Sequence, residues 1–75
     1  MKIGQIWSRK MKNYPPELKG QTIGLKVISV RSMKDGRVEA MLVGIKHPLL
    51  WVTIHADDHD ALADHFPMTL IEDAP

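Results

Sequence analysis

Residues 23–45 read Ile23-Gly24-Leu25-Lys26-Val27-Ile28-Ser29-Val30-Arg31-Ser32-Met33-Lys34-Asp35-Gly36-Arg37-Val38-Glu39-Ala40-Met41-Leu42-Val43-Gly44-Ile45. Ile23, Leu25 and Val27 alternate onto one face of an extended chain, then Ile28 and Val30 take over the apolar positions. A phase change of one residue predicts a bulge or sharp bend. Ser32–Gly36 predicts a turn, because Asp-Gly between two apolar runs tolerates the positive φ that hairpins need. The chain then returns over 37–45, with Val38, Ala40 and Leu42 on one face and Met41, Val43 and Ile45 on the other. A strand apolar on both faces reads as a central one.

Toward the C-terminus, Lys46-His47-Pro48 makes a turn and residues 49–55 make a further strand. Leu50, Val52 and Ile54 share one of its faces, and Trp51, Thr53 and His55 the other. Residues 57–66 read as a short helix, capped by Asp57 or Asp58, with Leu62 and Phe66 on one face and Asp57, Asp60 and Asp64 opposite. Pro67 ends it, and Met68–Glu72 forms the last strand. Toward the N-terminus, residues 3–8 make a short strand that bends at Gly4. Residues 9–22 form a long loop in which Pro15 and Pro16 remove two backbone donors, so no central strand can run there. A loop this long in so short a chain is usually functional or flexible. The expectation is a single all-β domain over 1–75, with five strands and a short helix before the last.

That order of elements resembles SH3-like small barrels, the group that includes KOW- and Tudor-type modules. Arg9–Thr22 matches their long first loop, Met33–Gly36 and Lys46–Pro48 their tight connections, and Asp57–Phe66 their helical turn before the closing strand. The resemblance implies a closed five-stranded barrel and a binding module, and it implies no particular ligand.

Composition narrows the function classes. Seventy-five residues with no Cys exclude disulfides and Cys-based zinc sites. Such a chain buries only about 60% of its unfolded surface, so self-association is one expected source of stability. No run approaches the roughly 20 apolar residues of a membrane span, and Met1–Trp7 lacks the apolar core of a signal peptide. The expectation is a cytoplasmic chain without a membrane partner. The net charge of +1 conceals an asymmetry. Residues 1–37 hold nine of the ten basic residues against two acids, a net +7, and residues 38–75 carry a net −6. Such halves either face each other and neutralise or leave a bipolar surface.

Arg9, Lys10, Lys12 and Lys19 surround Tyr14 in the first loop. Cations that meet phosphate beside an aromatic that stacks on bases are the pattern of single-strand nucleic-acid binders. The leading expectation is therefore a non-enzymatic module that docks onto nucleic acid, or a nucleic-acid-handling complex, through Arg9, Lys10, Lys12, Tyr14 and Lys19. The alternative is a protein-binding inhibitor or adaptor, of the small kind that phages and mobile elements encode. It would meet a host protein through Asp57, Asp60 and Asp64, or through Trp51 as an interface anchor. A homodimer through an open strand edge is compatible with either reading. His55, His59 and His65 among the aspartates suggest a metal, but His59 and His65 are six apart on the helix and point to different sides, and His55 precedes it, so no metal or other cofactor is expected. Ser8, Ser29 and Ser32 show no link to a base, and no Gly-rich phosphate loop is present, so no enzyme is expected.

Overall fold

In the computed structural model, β1 (Ile6–Lys10), β2 (Thr22–Ser32), β3 (Val38–Gly44), β4 (Trp51–Ala56) and β5 (Thr69–Glu72) form one antiparallel sheet in the order β4-β3-β2-β1-β5. The structure describes every residue except Tyr14, Phe66, Pro67 and Pro75, and the side chains of all but these and Ala63 and His65. Among the described residues the fold is all-β apart from one 3-10 turn, Pro16–Leu18, and one α-helical turn, α1 (Leu62–His65).

The phase change at Val27-Ile28 has a direct structural counterpart. Val27 pairs with Leu42 and Ser29 with Met41, so Ile28 is the extra residue and the register slips there. A bulge bends its strand and increases its twist. It lets the inward positions of β2 stay inward on both sides of the slip, with Leu25 and Val27 fully buried before it and Val30 half-buried after it. On β3, Val38, Ala40 and Leu42 face the same way and are buried. Ile54 and Ala56 of β4 join them, opposite Ala40 and Val38.

The curled sheet is filled from outside its strands as well. Met11, Leu18 and Leu62 are all buried in the same cluster. The first loop is therefore built in rather than structureless. Met11 N–H donates to Gln21 O at 2.8 Å and Gly20 N–H to Met11 O at 2.7 Å, which closes the loop at its base.

Three expectations change. Arg9 and Lys10 belong to β1, where they pair with Ile23 and Thr22. Charged side chains hid the fact that ladder hydrogen bonds are made by the main chain. The helix over 57–66 shrinks to α1, because Asp58 Oδ1 accepts the Ala61 N–H at 2.9 Å and closes a turn there. Aspartate favours that local bond over helix interior. The expected Leu62–Phe66 pairing lies outside the described residues at Phe66. Finally, the sheet is not closed: among the described residues β4 pairs only with β3 and β5 only with β1, so both are edges. The connection between them instead packs α1 against β4 and β3.

Candidate functional site

Strand direction sorts the charges. Lys10 pairs with Thr22 at one end of the sheet, where β3 also ends and the turn at 45–50 follows. Arg9, Lys10, Lys12, Lys19 and Lys46 therefore lie at this end with Glu17 as the one acid, a net +4. At the opposite end, Ser32 pairs with Val38 and Val38 with Ala56. Arg31, Lys34 and Arg37 stand there against Asp35, Glu39, Asp57, Asp58, Asp60 and Asp64, a net −3. The eleven residues of β2 separate the two ends, on the order of 30 Å at the rise of an extended strand. The domain is bipolar even though its strands mix the two halves of the chain.

Two depressions mark the basic end. A groove of about 660 Å³ runs between the first loop and the 45–50 turn, lined by Pro15, Leu18, Pro48 and Leu50 among others. A second depression of about 350 Å³ lies between the start of β2 and the end of β3. The two share Lys46 and His47. Buried Leu18 and Met11 fix the loop that carries Lys12 and Lys19, and both lysines are exposed. Lys10 is exposed at the end of β1. Leu49 is 95% exposed on the far wall.

Arg9 is placed differently. Its position on β1 alternates with Lys10 and matches that of Trp7, whose partner Leu25 is fully buried. Arg9 is itself half-buried, and that burial lowers the pKa of its guanidinium below the ordinary value. Tyr14 lies outside the described residues. Lys46, which sequence reasoning assigned only to a turn, joins the lysines because the β2–β3 and β3–β4 connections lie at opposite ends.

Trp51 is 56% exposed and stands opposite Val43, which in turn stands opposite Lys26. It lies on the outer face of the sheet and is not a core residue. Asp57, Asp60 and Asp64 are exposed, but only Asp64 lies in α1, so they form no helix stripe. Asp57 and Asp64 instead line a shallow depression with Arg37 and His55.

Glu39 lies beside that depression and was missed from sequence. It is buried, and its carboxylate accepts hydrogen bonds from Arg31 Nε at 2.8 Å and from His55 Nε2 at 2.9 Å. The three residues are register partners across β2, β3 and β4. Among the described residues, no group of three or more His, Asp or Glu side chains is placed to hold a metal ion. Nor is any helix among them long and apolar enough to cross a membrane.

No protein-family model, curated protein or solved structure matches the chain.

Proposed function

We propose that this chain is an SH3-like barrel left open between β4 and β5, and that it serves as a binding module for single-stranded nucleic acid through its basic end. The observation that carries this reading is that Lys10, Lys12, Lys19 and Lys46 lie at the same end of the sheet, where Lys46 lines two neighbouring depressions. Their loop is pinned by Met11 and Leu18. Pinned cations contact successive phosphates with little ordering cost, and binding then rests mainly on counterion release. Exposed Trp51, on the strand that leaves this end, offers a ring for a base to stack on.

The test is fluorescence anisotropy with a labelled single strand at about 50 mM salt. Joint neutralisation as Lys10→Gln, Lys12→Gln, Lys19→Gln and Lys46→Gln is expected to weaken binding by at least about tenfold. Equal affinity of the parent and the fourfold variant would remove the basic end from the account.

A second reading is favoured by the opposite end. Exposed Asp57, Asp60 and Asp64 give it a negative surface suited to a basic protein partner. In that reading the chain is an inhibitor or adaptor. It predicts that a protein is captured from extract after nuclease treatment, and that Asp57→Asn with Asp60→Asn and Asp64→Asn abolishes capture.

A further inference from the structure

We propose that β4 is a self-association edge, through which a second copy of this chain pairs antiparallel around a two-fold axis at Thr53. This goes beyond the nucleic-acid reading and does not depend on it. The phase of the β3–β4 ladder supplies the first argument. Gly44 N–H donates to Leu50 O at 3.0 Å. Bonded pairs alternate in an antiparallel ladder, so Val52, Ile54 and Ala56 bond to Leu42, Ala40 and Val38. Trp51, Thr53 and His55 then aim their N–H and C=O groups away from the sheet.

Among the described residues, the strand itself carries none of the usual guards, and α1 packs beside it. Proteins blunt open edges with Pro, Lys, a bulge or inward charge. β4 reads Trp-Val-Thr-Ile-His-Ala, its register against β3 is unbroken, and Trp51 and Thr53 are exposed. The other edge is guarded. β5 has only four residues, its pairing with β1 slips between Ile6 and Trp7, and it ends at Glu72 followed by Asp73.

Two constraints choose the register. Only residues with outward backbone groups can bond, and side chains of the outer face must meet outer-face side chains. Both are met with all three outward residues of each strand paired only when Thr53 pairs with its own copy and Trp51 pairs with His55 of the other molecule. Charge selects the direction. Antiparallel pairing brings the Lys46 end of one copy beside Asp57 and Asp58 of the other, whereas a parallel pairing sets acid against acid. A six-residue strand edge buries well under the roughly 1,600 Å² of a standard interface. The dimer is therefore weak and salt-sensitive.

Sedimentation equilibrium from about 10 μM to about 1 mM at low salt tests this. The parent is expected to pass from monomer to dimer over that range. Thr53→Pro removes only an outward-facing donor, so it is expected to stay monomeric with its far-UV spectrum unchanged. Because the chain has no Cys, a second readout is available even if the proline variant fails to fold. Bonded antiparallel partners lie about 5.5 Å apart, within the span of a disulfide. Thr53→Cys is therefore expected to oxidise to a covalent dimer under mild conditions, and Lys34→Cys is not. A parent that is monomeric throughout, a folded Thr53→Pro that dimerises like the parent, or equal cross-linking at positions 53 and 34 would each overturn the proposal.

Discussion

Glu39 on β3 accepts a hydrogen bond from His55 Nε2 on β4 at 2.9 Å while holding Arg31 Nε of β2 at 2.8 Å on its other oxygen. One carboxylate thus ties three strands together in a single row. The Arg31 hydrogen bond is the main cause that holds its pKa below the ordinary 4.5, the His55 bond adds to this, and desolvation opposes both. A carboxyl depressed in the folded state contributes stability that is complete above its unfolded pKa. That stability is lost as pH falls through the lower, folded value.

Acid stability should therefore depend on this row. Below about pH 4.5 the melting temperature of the parent is expected to fall more steeply than that of Glu39→Gln, which cannot titrate. Asp35, held low chiefly by the Arg37 N–H, and Asp73, held low chiefly by the Gln5 amide, act in the same direction. Both are present in the parent and the variant, so the difference between the two curves isolates Glu39. Parallel curves would contradict the assignment.

Leu42 is fully buried on β3, an interior strand, between Val27 and Val52. Leu42→Ala is expected to cost about 3 kcal/mol, from lost burial and from the cavity left behind. Leu18 has a smaller role in the core but holds the first loop. Leu18→Ala is expected to cost about 2 kcal/mol and to weaken nucleic-acid binding although no lysine has changed. Urea unfolding measures both costs. A Leu18→Ala variant with unaltered binding would show that the loop needs no pinning.

Two glycines separate backbone strain from crowding. Gly36 has φ +90°, and nothing lies within 4 Å of a Cβ built there. Gly36→Ala is expected to cost on the order of 1 kcal/mol, from conformation alone. Gly44 has an ordinary φ, but its Cβ would lie 2.7 Å from His47 O, a backbone atom that cannot move aside without shifting the 45–50 turn. Gly44→Ala should thus be the more damaging of the two. It should also alter the groove that Lys46 and His47 line, while Gly36→Ala leaves nucleic-acid binding intact. The reverse order of stability would contradict the turn geometry.

These residues also show what a sequence reveals and what it hides. The Asp35-Gly36 hairpin and the slip at Ile28 were readable because both are local: one is a turn preference, the other a break in alternation. That Val38, Ala40 and Leu42 share a face followed from period two, but both faces of that strand are apolar, so which one is buried did not. The Glu39–His55 bond was not readable, because sixteen positions separate the two and only the strand register makes them neighbours. Gln5 was missed for the same reason. It is buried, takes the Lys2 N–H at 2.7 Å and reaches Asp73 at 2.9 Å, sixty-eight positions away. For the basic end, the sequence indicated Lys10, Lys12 and Lys19. It also promoted Arg9, which strand alternation turns toward the core side, and it passed over Lys46, which the chain direction of β3 brings in.

The account rests on the basic end acting as one phosphate-binding surface. The most direct measurement is the affinity for a labelled single strand as a function of salt. Up to four lysines engaged with phosphate predict a slope of log K against log salt of about −2 to −3. The fourfold lysine variant should flatten that slope toward zero, and Asp57→Asn with Asp60→Asn should leave it unchanged. No detectable binding at the lowest salt, or a slope that the lysine substitutions do not alter, would contradict the account.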